Sequence, residues 1–315
     1  MFTAHDAGHR GITSGFVVDT LIGITIADLC CGLSLGWRKS SHNVHHLITN
    51  MQYVYPGHSP WTKSDTHKNT TPTSKTSPSS QRHPPISAPS STLLRLHLHL
   101  GRRLRHSNPL PSLHVLSHQA LARFNLYFLS WCHLISPRAS NLGAASWTRP
   151  VEILAMLAYW FLFGYCLIWG TLPTWPIRIA FVLISHCITM LLHVQITLSH
   201  WGMPTADLGP TESFPQRQLR TTMDVECPAW LDWLHGGLQF QAVHHLFPRV
   251  PRHNLRRLQV LVREFCDKTS IKYECHEFVK GNKIVLSRLE EVARMVEVLV
   301  ECQKHMAKTG ESGLA

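Results

Sequence analysis

Histidine gathers at three places in this chain, at spacings that match one face of a helix. The first is HDAGH, with His5 and His9; the second is HNVHH, with His42, His45 and His46; the third is QAVHH, with Gln241, His244 and His245. Residues three or four apart on a helix lie side by side, so each cluster aims two or three groups at one point, imidazoles in every case and an amide at Gln241. Imidazole nitrogens suit iron, zinc or copper. Asp6 can accept an N–H from a neighbouring imidazole and so fix which ring nitrogen is left for a metal. A lone HxxxH pair is most often surface histidine. Clusters repeated beside apolar stretches point instead to a polynuclear metal site. No helical face unites His97, His99, His106, His114 and His118, which carry no such expectation.

The elements that must position these clusters follow from hydropathy. Residues 16–37 are long enough to cross a bilayer but contain Asp19 and Asp28, and a charge at mid-membrane costs about 2.5–3.5 kcal/mol on insertion scales. An interfacial or re-entrant segment is expected there. Residues 120–135 are apolar but short for a span, and read as an amphipathic stretch in the headgroup layer. Residues 151–170 and 179–198 are each long enough for a hydrocarbon core about 30 Å thick. The link TLPTWPIR, with Pro173 and Pro176 as breakers and Trp175 and Arg178 suited to an interface, makes them a hairpin over 151–198. An even number of crossings between the second and third clusters returns both to one membrane face, where they can converge. Beyond His200 the sequence is a polar tail with helical periodicity at 252–268 and 286–306, and KYECHEF reads as a short strand.

Composition agrees with a membrane protein: 44% of the 315 residues are apolar and only 16% charged. The formal charge of +11 does not mark a nucleic-acid binder, because residues 52–120 alone hold eight Lys and Arg against the single acid Asp65. Nine cysteines without a CxxC pair fit reduced thiols rather than a disulfide framework, and no signal peptide is readable at MFTAHDAGHR.

At the histidine clusters, and in LGPTESFPQRQLRTTMDVECPAWLDWLHGGLQFQAVHHLFPRVPRHNLR, the chain resembles the front-end membrane desaturases, and within them the fungal sphingolipid Δ8 type. The resemblance implies a mainly α, membrane-embedded helical desaturase fold with a histidine-rich di-iron cap on the cytosolic side of the endoplasmic reticulum. It implies His5, His9, His42, His45, His46, His244 and His245 as iron ligands. His200, at the end of HVQITLSHW, is similar to an additional ligand of relatives, and Gln241 stands where other desaturases carry histidine. His193 reads equally well as a buried structural residue. Electrons would come from NADH through cytochrome b5 and its reductase, and the substrate would be a membrane lipid: the long-chain base of a ceramide, or a fatty acyl chain as in Δ5 and Δ6 enzymes. A lipid hydroxylase and a non-catalytic remnant are the competing readings.

The resemblance covers residues 1–51 and about 121–310, which read as desaturase domain, and leaves out 52–120. Relatives carry a cytochrome b5 domain and a membrane hairpin ahead of the first box, whereas this chain opens four residues before His5, so an incomplete and inactive copy is expected. Relatives also continue after the second box with an acidic segment like EHDPDIQ. Codons permitted for Lys68 to Lys75, read two bases later, can spell Glu-His-Asp-Pro-Asp-Ile-Gln. Residues 68–120 are therefore expected to be out-of-frame translation and 52–67 intron-derived, with little regular structure over 55–115; a disordered basic loop is the alternative.

Overall fold

The first two histidine clusters are joined by a chain reversal whose geometry depends on two buried acids. In the computed structural model, which describes residues 2–50, 111–136, 145–206, 208, 209 and 211–309, helix α1 (Phe2–Gly8) carries HDAGH. Helix α2 (Phe16–Ile24) follows and runs on through a π-helical turn, Thr25–Leu29. Asp19 accepts hydrogen bonds from the Thr13 amide (2.9 Å) and the Thr13 hydroxyl (2.6 Å), closing the connection from α1. The helix stops where Gly32, at φ +67°, turns the chain back; a Cβ there would fall 2.3 Å from the Tyr159 ring. Helix α3 (Leu35–Leu47) then returns with HNVHH near its end. Residues 16–29 are thus one continuous helical run, and the chain reverses only after it, at Gly32.

The start of α3 is capped from three directions. The Ser34 hydroxyl accepts from the Trp37 amide, Asp28 Oδ2 accepts from the Leu35 amide at 3.1 Å, and Glu152 Oε2 accepts from the Gly36 amide at 2.8 Å and the Ser34 hydroxyl at 2.7 Å. Carboxylates at a helix N-terminus satisfy orphan N–H groups and complement the dipole. Substituting Glu152 by leucine strands two buried donors and is expected to destabilise the fold by about 2–3 kcal/mol, read as a lower thermal-aggregation midpoint in detergent.

Helix α4 (Pro111–Ile135) departs from expectation. It was expected as an amphipathic stretch beginning at residue 120, after an unstructured segment. It begins at Pro111, where proline's fixed φ and missing N–H are suited to a first helical turn, and so corrects the expectation of little regular structure over residues 111–115. The rest of that expectation, over residues 51–110, lies outside the described residues. The helix also packs along α3 and the membrane hairpin with Tyr127, Ser130 and Leu134 buried. Tyr127 Oη lies 3.0 Å from Tyr159 Oη and 3.1 Å from His186 Nε2, and Arg123 Nε donates to it at 2.8 Å.

Helix α5 (Thr148–Tyr159) continues as a π-helical stretch to Trp169, and α6 (Trp175–Cys187) and α7 (Met190–Trp201) form the returning arm. The two arms, of 22 and 27 residues, have mean hydropathies of 1.9 and 2.0, with only 17% and 11% of their most apolar windows buried. Arms this apolar and this uncovered suit lipid rather than the core of a soluble protein.

After α7 the chain builds the cap. Helix α8 (Phe214–Thr221) opens with a capping box between Ser213 and Gln216. Strand β1 (Asp224–Glu226) pairs in parallel with β2 (Cys275–Glu277), Asp224 opposite Cys275, so KYECHEF does contain the expected strand. Between them lie α9 (Asp232–His235), α10 (Gln241–Leu246) with the third cluster, and α11 (Leu255–Thr269); α12 (Phe278–Thr309) follows. Leu219, Phe240, Val243, Leu255 and Val262 form the core beneath α10. Asp224 fixes the start of α10: its Oδ1 accepts from the Ala242 amide at 2.7 Å, and its Oδ2 from Gln259 at 3.1 Å and from the Tyr273 hydroxyl.

Candidate metal centre

The three clusters, separated by up to 240 residues of sequence, meet at one place. His5 Nε2 lies 2.9 Å from His42 Nε2, which lies 3.1 Å from His46 Nε2. The ligating nitrogens of His5, His9, His42 and His244 all fall within 4.8 Å of one another, and those of His45, His200 and His245 form a second such group. Two bonds from one metal, each about 2.1 Å, span at most about 4.2 Å, so each group needs only slight closure to share an ion. The His46 ring stands between the groups, with centroids 4.8 Å from His9, 4.8 Å from His244 and 4.3 Å from His245. His200 arrives from the last turn of α7, its ring 4.6 Å from His45 and 4.8 Å from His245. Gln241 is buried in the first turn of α10. His193 is in neither group.

The donor set fits metal ions. Buried polar atoms are nearly always hydrogen-bonded, yet His9 Nε2, His46 Nδ1, His244 Nε2 and His245 Nε2 are buried without a hydrogen-bond partner. They come from both groups and from the ring between them. Their protonation states also suit ligation. Burial, helped by the Arg38 and Arg252 guanidinium groups, pushes His9 from 6.5 down to about 3. Burial, then His9, His45 and Arg38, does the same for His46, to about 3, and burial alone takes His45 to about 4. His5, His42, His244 and His245 are driven well below 6.5, burial being the largest cause in each. All seven therefore keep nitrogen lone pairs free at neutral pH.

Around these rings lies a supporting layer that is partly visible in the sequence. Asp6 Oδ1 sits 3.2 Å from His5 Nδ1, the role its position suggests, and also accepts from Arg252 Nε at 2.9 Å. Arg252 is 246 residues away from Asp6, and nothing local in PRVPRHN marks it as part of a metal site.

The model of the fatty acid desaturase family matches residues 1–276 of the chain. The chain belongs to that family. The chain is 46% identical over 318 residues to the Delta 8-(E)-sphingolipid desaturase of Emericella nidulans, covering 98% of this chain and 54% of that one. It is 45% identical to the Delta 8-(E)-sphingolipid desaturase of Kluyveromyces lactis, over 98% of this chain and 51% of the other. Against the acyl-lipid (9-3)-desaturase of Borago officinalis identity falls to 31%, over 92% of this chain and 60% of that protein. The chain thus spans about half the length of the fungal relatives it matches. No solved structure matches it.

Proposed function

We propose that this desaturase chain is part of an enzyme that introduces a Δ8-(E) double bond into the sphingoid long-chain base of ceramide-type lipids. The observation that carries the reading is the pair of buried to half-buried histidine groups at one end of an apolar hairpin, in a chain 46% identical to a Delta 8-(E)-sphingolipid desaturase. The lower identity to the acyl-lipid relative, 31%, favours a sphingoid over a fatty-acyl substrate.

In this reading His5, His9, His42 and His244 hold one iron, His45, His200 and His245 hold the other, and His46 stands at both; Gln241 lies at their edge. Iron, when bound, would activate O2, the oxidant that removal of hydrogen from unactivated methylenes demands. The overall change is balanced when –CH2–CH2–, O2, two electrons and two protons give –CH=CH– and two waters. The protein's own contribution is a site made of neutral, buried imidazoles that keeps bulk water from the reacting carbons. Electrons would be delivered from NADH through cytochrome b5 and its reductase. The hairpin would lie in the endoplasmic reticulum membrane with the histidines on the cytosolic side. Residues 68–120 would be restored by the alternative reading frame, with residues 52–67 removed.

The test is expression in a yeast that lacks Δ8-unsaturated sphingolipids, followed by mass spectrometry of its long-chain bases. A gene restored in frame and extended upstream to the length of the relatives is expected to produce Δ8-(E)-unsaturated bases, and the chain as written is expected to produce none. Product from the chain as written overturns the reading of 52–120. Δ6-unsaturated fatty acids in place of Δ8 bases move the assignment to an acyl substrate.

A further inference from the structure

A glutamine outside the histidine clusters reaches two of them. Gln218, on α8, is fully buried, as are Thr49 and His245. Its Nε2 donates to the backbone carbonyl of His46 at 2.9 Å, and its Oε1 lies 3.0 Å from His245 Nδ1 and 2.8 Å from Thr49 Oγ1. The orientation of the amide is decided by its partners. A carbonyl only accepts, so the group facing His46 O has to be the NH2; the reverse orientation would place two oxygens 2.9 Å apart. Oε1 therefore faces His245, and as an amide oxygen it can only accept. Thr49 Oγ1 lies 3.1 Å from the same Nδ1; its single hydrogen goes to Gln218 Oε1 at 2.8 Å, with the His45 carbonyl also in reach at 2.7 Å, so its oxygen offers His245 a second acceptor. Hence His245 carries its proton on Nδ1. Its other nitrogen, Nε2, is the lone-pair atom, buried and without a hydrogen-bond partner beside His45 and His200.

We propose that Gln218 is a positioning residue: it sets the tautomer and ring orientation of His245 so that Nε2 serves the His45, His200 and His245 group. The inference rests on the di-iron reading. It assigns Gln218 no contact with metal or substrate. Hydrogen-bond partners of metal-bound histidine typically change metal affinity by about 10–100-fold, and that is the size of effect expected here.

The experiment is anaerobic Fe(II) titration of the full chain purified in detergent, with a competing chelator, on the parent, Gln218→Met and Gln218→Glu. Methionine keeps the side-chain length and removes both polar groups; glutamate keeps an acceptor for His245 Nδ1–H but cannot donate to His46 O. The parent is expected to bind two equivalents, one for each histidine group. Gln218→Met is expected to bind the first normally and the second about 10–100-fold more weakly, and Gln218→Glu to hold the second at least as tightly as the parent. Two parent-like equivalents in Gln218→Met overturn the inference. So does weak second binding in Gln218→Glu, because the hydrogen bond to His46 O would then be what matters, and this arm decides the question even if the methionine variant does not fold. A parent that binds no iron overturns the di-iron reading instead, a different result from either.

Discussion

Alanine at His42 or at His245 is expected to reduce bound iron from two equivalents to one, and in each case to lower Δ8 product by about 100-fold or more. The two substitutions strike different groups. His42 Nε2 lies 2.9 Å from His5 Nε2 in the first, and His245 stands with His45 and His200 in the second. Loss of even a residue that merely supports a ligand costs about 10–100-fold, and loss of the ligand itself costs at least that. Equal loss of product from either side distinguishes a pair of irons acting together from one working iron beside a structural one. In the latter case one variant would keep most of its activity while the other lost it. The measurement is iron content and long-chain-base product for both variants in the restored gene, against His193→Ala, which belongs to neither group and is expected to keep both equivalents.

Much of this arrangement was legible because helical spacing and hydropathy are local properties. The i, i+3 and i+4 pattern of His42, His45 and His46 gives the face of α3 that meets α1 and α10, and the two apolar stretches give the hairpin within a few residues of its observed ends. Parity of the crossings then permits the clusters to converge, and they do. Long-range hydrogen bonds were not legible. Glu152 caps α3 by accepting from the amide of Gly36, 116 residues before it, and a carboxylic acid in an apolar run announces only a cost until its partners are known. Asp19 and Asp28 are alike: in the sequence they read only as charges that argue against a simple span, while their tasks, closing a turn and capping α3, emerge only with the fold. Gln218 sits in RQLRTT, a polar stretch of an amphipathic helix, where nothing in spacing or composition separates it from its polar neighbours. The start of α4 was hidden for a different reason, since a composition rich in Pro, Ser and His around residues 107–118 masks helical periodicity.

The iron-free protein is expected to unfold when mildly acidified. In the folded state the histidine pKa values lie far below 6.5, with His9 and His46 at about 3 and His45 at about 4, because burial disfavours the imidazolium form. His5, His42, His244 and His245 are lowered by the same cause. In the unfolded chain each takes up a proton near 6.5. Between these limits the unfolded state binds more protons, so stability is fully present above about pH 6.5 and falls as pH drops toward the folded values. Each histidine contributes about 1.4 kcal/mol per pH unit within that window. His9, His45 and His46 alone then remove about 6 kcal/mol by about pH 5, within the roughly 5–15 kcal/mol that holds a typical domain, and the other four act in the same direction. Circular dichroism of the iron-free chain in detergent is expected to show cooperative loss of helix with a midpoint near pH 5–6. Iron binds only the folded, deprotonated site, so adding Fe(II) is expected to move that midpoint to lower pH. A helical signal unchanged down to pH 4, with or without iron, would mean that the rings are hydrated and already titrating near their ordinary value, and the buried histidine centre described above would be wrong.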